Sequence, residues 1–267
     1  MSDAIAIAER YEGLILDLDG CLWVSTSAVP GAPEAVDRWR AADWALVFLT
    51  NDPASAPEDV LQRLWSHGVR GAVHEIVTSG VVRQEYLADR FSGGAAVVVG
   101  SPAMVRHVQA AGLKVVSREA HVPDADVVVL AGHADLSYRE LTWAVRAACA
   151  GVPVIATGRD RLVPGENGVR PGTGAVVAYV EYAAGVDVVA VGKPGPDAWR
   201  IARERLGVHG PVLAVGDRLD SDVGGAVAAG LDAALVLSGV TSRAEAEAWK
   251  GAKPVAVADD LGALLGG

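Results

Sequence analysis

The sequence predicts an α/β fold in which a parallel sheet is covered by helices on both faces. Several short runs consist almost entirely of Val, Ile, Leu and Ala, which is typical of strands buried on both sides. Stretches with helical spacing separate these runs, and this alternation favours parallel strands joined by right-handed crossovers. The predicted strands are residues 14–16, 45–49, 95–99, 127–130, 152–156, 186–191, 212–215 and 233–237.

Three of the intervening helices have clear sequence signals. The predicted helices span residues 57–67, 137–150 and 197–206. The apolar stripe of the first comprises Val60, Leu61, Leu64 and Trp65. Pro57 stands in the first turn, where its missing N–H costs nothing. Gly151 and Gly207 follow the other two helices, where a left-handed residue commonly ends a helix.

The composition narrows the classes of partner. The chain has 267 residues, which suits one domain that carries a large insertion, and its net charge is -10. Because there is no run of Lys or Arg, we expect no nucleic-acid partner. The two cysteines, Cys21 and Cys149, have no metal-binding spacing. No apolar stretch reaches the ~18 residues of a membrane span, and the N-terminus does not resemble a signal peptide. We therefore expect a cytoplasmic protein with no membrane partner.

Polar segments stand at the ends of four apolar runs. Asp17 and Asp19 follow the first strand, and Thr50 and Asn51 end the second. Lys193 and the acidic residues of 216–222 follow later runs. Since ligands bind in the crevice beyond the carboxyl ends of parallel strands, we expect these segments to converge there.

The residue types suit a metal ion and a phosphate group. Asp17, Asp19 and Asp217 would repel one another unless a cation lay between them, and oxygen ligands suit Mg²⁺. The Thr50 hydroxyl can donate a hydrogen bond to a phosphate, and Asn51 can donate one or orient a neighbour. Lys193 supplies a positive charge opposite the metal.

This set of groups suits phosphoryl transfer through a covalent intermediate. A carboxylate nucleophile, Asp17, forms an aspartyl-phosphate and so divides one difficult displacement into two steps. Asp19 would protonate the leaving alcohol and later deprotonate the attacking water.

The four segments together resemble the motifs of the haloacid dehalogenase-like (HAD) phosphatases, and more narrowly the NagD-like, p-nitrophenylphosphatase-type branch. They read Asp17-Leu-Asp19-Gly20-Cys-Leu-Trp23, Leu49-Thr50-Asn51, Val191-Gly192-Lys193-Pro194 and Val215-Gly216-Asp217-Arg218-Leu-Asp220-Ser-Asp222. They occur in the family's order and span nearly the whole chain.

The resemblance implies a Rossmann-like, doubly wound parallel-sheet core at residues 1–79 and 187–267, with an inserted α/β cap at residues 80–186. It also implies Asp17, Asp19 and Lys193 as catalytic residues, a small phosphorylated metabolite as substrate, and a homodimer formed through the cap. The implied phosphate-binding residues are Gly20, Thr50, Asn51 and Lys193. The implied Mg²⁺ ligands are Asp17, the Asp19 carbonyl, Asp217 and Asp222, the last bound directly or through water.

The cap supplies further candidates in a glycine-rich turn. Gly172 and Gly174 precede an apolar helical stretch, and such a turn can hold an anion; alternatively it is a helix start capped by Thr173. Arg159, Arg161 and Arg170 lie just before it, and they either contact an acidic substrate or form a solvated face.

The sequence departs from the family pattern at three places. Cys21 replaces a commoner Thr or Val, Asp52 replaces Asn, and residues 158–160 replace an Asn-containing turn. The substrate of any one relative is therefore not carried over to this chain. Sugar phosphates, glycerol phosphate, phosphoglycolate, pyridoxal phosphate and nucleotides are all open as substrates.

Two alternative functions use a similar aspartate. A phospho-aspartate receiver module would be about half this length and would have no leaving group for Asp19 to protonate. A dehalogenase needs no metal and no second acid, so Asp19, Asp217 and Asp222 would have no role. The length, the leaving group and these three acids favour the phosphatase. A third alternative, a non-catalytic binding protein on an enzyme scaffold, is disfavoured because all the expected catalytic positions are filled.

Overall fold

The structure is a computed structural model that describes residues 10–52, 56–165 and 168–264, without the side chains of 162–169. It divides into two compact units. The core unit comprises Met1–Thr78 and Lys193–Gly267, and the inserted unit comprises Ser79–Gly192. The predicted cap, residues 80–186, falls within the inserted unit.

The elements alternate along the chain much as the sequence predicts. The first part of the core unit contains β1 (Gly13–Leu16), β2 (Trp23–Val24), β3 (Ser27–Ala28), α1 (Ala32–Ala41), β4 (Ala45–Thr50), α2 (Pro57–Ser66) and β5 (Ile76–Thr78). The inserted unit contains α3 (Ser79–Phe91), β6 (Ala95–Val99), α4 (Pro102–Ala110), β7 (Lys114–Val115), β8 (Val127–Leu130), α5 (Tyr138–Cys149), β9 (Val154–Ala156), β10 (Leu162–Gly165), β11 (Gly168–Pro171), α6 (Thr173–Ala184) and β12 (Val189–Ala190). The second part of the core unit contains α7 (Pro196–Leu206), β13 (Val212–Gly216), α8 (Gly225–Ala228), β14 (Asp232–Val236), α9 (Arg243–Ala248), β15 (Ala256–Ala258) and α10 (Leu261–Leu264), and a π-helical segment covers Leu219–Gly224.

The core unit is built on a six-stranded parallel sheet with the strand order β15-β14-β13-β1-β4-β5. One face of this sheet buries residues such as Leu16 and Phe48 against α1, α2 and α10. Helix α7 packs on the other face, against β1 and β4. Burial on both faces explains the continuous apolar runs. The carboxyl ends of the central strands β1, β4 and β13 therefore meet at one edge.

The inserted unit has its own parallel sheet, with the order β12-β9-β8-β6-β7. One face forms a separate hydrophobic cluster with α5 and α6, to which Val128, Leu130 and Val177 belong. An antiparallel hairpin, β10–β11, lies outside this sheet. The α/β fold class with parallel sheets is thus confirmed in both units.

Some predicted bounds need correction. Strand β9 begins at Val154 because Pro153 has no N–H to donate to the ladder, although the Pro153 carbonyl accepts a bond from Val128. Strand β12 is only Val189–Ala190. The prediction that Trp65 belongs to the buried stripe of α2 is wrong, because Trp65 lies on the flank of that stripe and is 59% exposed.

No helix within the described ranges is long and apolar enough to cross a membrane.

Candidate active site

A buried cluster of charged side chains lies at the carboxyl edge of the core sheet. Asp17 directly follows β1, and its backbone N–H donates to Val215 of β13, which continues the ladder by one residue. Lys193 Nζ lies 2.6 Å from Asp17 Oδ1 and 2.7 Å from Asp222 Oδ1. All three side chains are nearly inaccessible to solvent. The structure thus brings together residues that are up to 205 positions apart.

Asp217 is the third carboxylate of this cluster. Each of Asp17, Asp217 and Asp222 offers a carboxylate oxygen, and these oxygens all lie within 4.8 Å of one another. Asp217 follows β13, and the π-helical segment then turns Asp222 back so that its Oδ2 accepts a bond from the Arg218 N–H at 3.0 Å. The three acids are therefore positioned by two neighbouring strands, since Asp17 follows β1, and Asp217 and the segment that carries Asp222 follow β13.

Two glycine-containing loops hold Asp217 from either side. Val240 N–H donates to Asp217 Oδ2 at 2.7 Å, and the Ser238 hydroxyl donates to the Gly20 carbonyl at 2.6 Å. A Cβ placed on Gly20, which has φ 86°, would lie 2.3 Å from Asp217 Oδ2, and one on Gly239 would lie 2.0 Å away. A side chain at either position would therefore displace the carboxylate, because only hydrogen fits in this space.

The charges of the cluster do not balance. When all four groups are ionised, three carboxylates face one ammonium, which leaves two negative charges in a buried region. Burial raises the pKa of the Asp17 carboxyl to about 7, opposed by Lys193 and reinforced by Asp222 and Asp217. Burial also raises the pKa of Asp217 above its usual value. For Lys193, burial opposes the charge, but Asp17 and Asp222 outweigh it and raise the pKa of the ammonium.

The cluster fits a divalent cation. Carboxylate oxygens are the ligands that hard cations prefer, and two positive charges would neutralise the excess. Within the described residues, Asp222 Oδ1 is buried and accepts no hydrogen bond of regular geometry, although the Lys193 ammonium lies beside it. This oxygen has capacity for a further electropositive partner.

Asn51 anchors the lysine-bearing loop. Its Nδ2 donates to the Lys193 carbonyl at 2.7 Å, and its Oδ1 accepts from the Lys193 N–H at 2.8 Å. The Lys193–Pro194 peptide is cis. Thr50 ends β4, is buried, and its hydroxyl accepts a bond from the Asp52 N–H at 3.0 Å. Asn51 therefore orients a neighbour, which was one of its two predicted uses.

Asp19 is set apart from the buried cluster. Its side chain is 60% exposed, and its Oδ1 accepts a bond from Trp23 Nε1 at 2.8 Å. Arg63 of α2 lies nearby, with a guanidinium nitrogen 3.8 Å from the same oxygen. Cys21 is fully buried in the apolar core of this unit, as a structural residue should be.

Three of the four cap candidates, Arg159, Gly172 and Gly174, have partners within the inserted unit. Arg159 donates to Glu181 at 2.7 Å and to the Val188 carbonyl at 2.6 Å. The Gly172 and Gly174 N–H groups donate to the carbonyls of residues 161 and 160. A Cβ on either glycine would lie within 2.4 Å of a backbone oxygen. These glycines therefore allow a close backbone approach, while Arg161 is exposed.

Thr173 does not cap the helix that it starts. The N-cap of α6 is Gly172, and the Thr173 hydroxyl instead accepts a bond from the Gly132 N–H at 2.9 Å. The alternative interpretation of this turn, as a helix start capped by Thr173, is therefore wrong in its capping residue.

Sequence reasoning missed the loop at residues 238–241 and the contacts that Trp23 and Arg63 make with Asp19. The loop could have been found, because strand β14 was predicted and its carboxyl end lies beside β13 at the same sheet edge. Arg63 had no such signal, since an arginine on the polar face of a helix is ordinary.

Comparison with known proteins identifies the family. The model of the haloacid dehalogenase-like hydrolases matches residues 14–114, and a second HAD-hydrolase-like model matches residues 190–264. The D-glycerol 3-phosphate phosphatase of Mycobacterium tuberculosis is 34% identical over 238 residues, which cover 89% of this chain. The chain spans 66% of that relative's length.

Solved structures give the same result. A glycerol phosphate phosphatase from M. tuberculosis in complex with magnesium has a TM-score of 0.82 at 32% identity, covering 97% of this chain and 77% of that one. NagD from E. coli K-12 and a p-nitrophenyl phosphatase from Archaeoglobus fulgidus each have a TM-score of 0.83 at 28% identity. The match covers 95% of this chain and 98% of NagD, and 96% of this chain and 98% of the A. fulgidus enzyme. The chain belongs to the haloacid dehalogenase-like hydrolases, in the branch that includes NagD.

Proposed function

We propose that the protein is a Mg²⁺-dependent phosphatase that hydrolyses a small phosphomonoester through an aspartyl-phosphate on Asp17. The observation that carries this proposal is the buried cluster of Asp17, Asp217, Asp222 and Lys193. A nucleophilic carboxylate, an ammonium and a cation-binding set of oxygens meet at one sheet edge. The named relatives are phosphatases, which supports the same reaction class.

The chain's own groups account for both steps. In the first, an Asp17 oxygen attacks phosphorus, the bond to the ester oxygen breaks, and Asp19 gives its proton to the departing alcohol. In the second, water attacks the phosphorus of the aspartyl-phosphate and Asp19 takes its proton. The bond to Asp17 then breaks, which releases inorganic phosphate and restores both carboxyl groups. Lys193 balances the charge on the phosphoryl oxygens.

Asp17, Asp217 and Asp222 would hold Mg²⁺, and the Asp19 carbonyl stays a predicted further ligand. When bound, the ion supplies the positive charge that allows an anionic carboxylate to approach an anionic ester. The raised pKa of Asp17 fits this requirement, because burial without a cation disfavours the ionised form that must attack.

The proposed substrates are small polyol and sugar phosphates. Relatives include a D-glycerol 3-phosphate phosphatase and proteins with the name acid sugar phosphatase. Dimerisation through the inserted unit stays a prediction, which light scattering coupled to gel filtration would measure.

The test is a phosphate-release screen across small phosphomonoesters with Mg²⁺ and with chelator. We expect turnover that requires Mg²⁺, and Asp17→Asn should abolish it while the circular dichroism spectrum stays unchanged. Asp220→Asn is the matched control, because Asp220 is an exposed acid of the same segment and is outside the cluster. Undiminished turnover in chelator, or an active Asp17→Asn variant, would refute the proposal.

Two further measurements, of phosphoryl retention and of halide release, separate the two alternatives. A receiver module would retain a stable phosphoryl group on Asp17 without releasing phosphate. A dehalogenase would release halide from a 2-haloacid in the absence of Mg²⁺.

A further inference from the structure

The exposed carboxyl of Asp19 is tethered to a buried tryptophan. A tight turn brings the chain back on itself, with the Leu22 N–H donating to the Leu18 carbonyl and the Gly20 N–H to the Trp23 carbonyl. This turn places the Trp23 indole, which is 1% exposed, so that its Nε1–H donates to Asp19 Oδ1 at 2.8 Å. A rigid ring in the core thus fixes one oxygen of a carboxyl group that faces solvent.

The Arg63 guanidinium packs against the Trp23 indole. It lies over the Trp23 ring, 4.2 Å from the ring centroid, which is a favourable cation–π geometry. The same guanidinium donates to the Ser25 carbonyl in the β2–β3 turn and lies 3.8 Å from Asp19 Oδ1. Helix α2 is therefore connected to the ring, to the hairpin and to the acid through one side chain.

We propose that Trp23 and Arg63 are positioning residues that hold Asp19 for proton transfer. This inference rests on the proposed function, in which Asp19 is the general acid and base. Both contacts engage Oδ1, and no group among the described residues donates to Oδ2. The proton that passes to the leaving oxygen is therefore carried on Oδ2, while Oδ1 fixes the orientation of the carboxyl plane.

The role predicts a dependence on the leaving group. Breaking the bond to an alkyl oxygen requires a proton, because an alkoxide is a poor leaving group, whereas p-nitrophenolate leaves without one. The value of kcat/KM reports the steps up to departure of the leaving group. Loss of Asp19 positioning should therefore lower kcat/KM for an alkyl phosphate far more than for p-nitrophenyl phosphate. In contrast, kcat should fall for both wherever hydrolysis of the common aspartyl-phosphate limits turnover.

The experiment compares Trp23→Phe with wild type on glycerol 3-phosphate and p-nitrophenyl phosphate at saturating Mg²⁺. A positioned general acid is worth about 10²–10⁴-fold, so losing its tether should cost the alkyl ester roughly 10–100-fold in kcat/KM. The aryl ester should lose no more than about 3-fold, because its departure needs no proton. Trp65→Phe is the matched control: it removes another indole N–H, the one that bonds Gly71, away from Asp19.

Arg63→Gln provides a second test, because Trp23 is in the core and its variant can lose stability. For this variant we expect kcat/KM for the alkyl ester to fall selectively by about 3–10-fold. The loss is smaller because the hydrogen bond from Trp23 Nε1 to Asp19 remains. Arg70→Gln, which removes an exposed ion pair with Asp37, is its control. Equal losses for both esters, or no loss for the alkyl ester, would overturn the positioning role. A wild-type protein that releases no phosphate from any ester of the Mg²⁺ screen would instead refute the proposed function and this inference with it.

Discussion

Gly239→Ala is expected to weaken metal binding without altering any charged group. Gly239 lies in the loop after β14, and its φ lies outside the left-handed region, so alanine meets no backbone strain there. The added Cβ would lie 2.0 Å from Asp217 Oδ2 and 2.7 Å from Asp217 Cβ. Ordinary contacts begin at 3.4 Å, so the Asp217 oxygen and the alanine Cβ have to separate by about 1.4 Å. Rotation of the carboxylate cannot relieve the contact with Asp217 Cβ, so the loop has to shift as well.

A displacement of this size is large for a metal ligand. Disturbing the groups that orient a ligand typically costs about 10–100-fold in metal affinity, and a misplacement of ~1 Å can cost about 10²-fold in rate. We therefore expect the half-saturating Mg²⁺ concentration to rise by about 30–100-fold, roughly 2–3 kcal/mol. The maximal rate at high Mg²⁺ should recover in part, because the ion can pull Asp217 back.

The assay is initial rate against free Mg²⁺ concentration, with p-nitrophenyl phosphate as substrate. Gly224→Ala is the control, because it lies in the segment that carries Asp222 and its Cβ meets only the Leu219 carbonyl at 3.3 Å. The reasoning would be refuted if Gly239→Ala and Gly224→Ala showed the same Mg²⁺ dependence as wild type. A stable, fully active Gly239→Ala would mean that Asp217 does not bind the metal.

Three further predictions concern Lys193, Asp17 and Gly174. Lys193→Met should lower turnover by about 100-fold or more, as measured by phosphate release. It should also lower the unfolding free energy by about 3–5 kcal/mol at pH 8, because it leaves buried carboxylates without their cation. Thermal melts should show a smaller loss at pH 5, where carboxyl groups protonate. Burial raises the pKa of Asp17 from 3.8 to about 7. Between these two pH values, the Asp17 carboxyl therefore keeps its proton in the folded metal-free protein and has lost it in the unfolded chain. The unfolding free energy of the metal-free protein should therefore fall as pH rises from about 4 to about 7, and Asp17→Asn or saturating Mg²⁺ should flatten that slope in denaturant titrations. Gly174→Ala should destabilise the inserted unit by about 1–3 kcal/mol in thermal melts, since its Cβ would lie 2.4 Å from the Arg159 carbonyl oxygen; an unchanged melting temperature would contradict this.

The central strands were the most predictable part of the fold. Strands β1, β4, β6, β8 and β13 are buried on both faces, so their apolar runs stand out in the sequence. Edge strands lack this signal: β7 is only Lys114–Val115, and β15 alternates between half-buried and exposed positions. The β2–β3 hairpin has two residues in each strand, too few for any periodicity to show.

The site was predictable where strand ends determine position. Asp17, Asp217 and Lys193 were expected at one edge because parallel strands bring their carboxyl ends together, and the structure places them there. What sequence reasoning could not supply were contacts made by side chains on other elements. The Trp23–Asp19 bond depends on a tight turn, and the reach of Arg63 depends on how α2 packs against the sheet.

The charge imbalance at this edge is itself an argument for function. Elsewhere in the core unit the buried faces are apolar, as stability requires. At Asp17, Asp217 and Asp222, three carboxylates are buried with one ammonium, an arrangement whose desolvation cost works against folding. Uncompensated buried charges of this kind occur mainly at functional sites, where a bound ligand can neutralise them.

Mg²⁺ at 100 times its dissociation constant would add about 2.7 kcal/mol to the unfolding free energy. Binding of Ca²⁺ should depend less than binding of Mg²⁺ on the exact positions of the three carboxylates, because Ca²⁺ tolerates looser oxygen geometry. A melting temperature that does not rise with Mg²⁺ would leave the buried acids without a physical reason to be there.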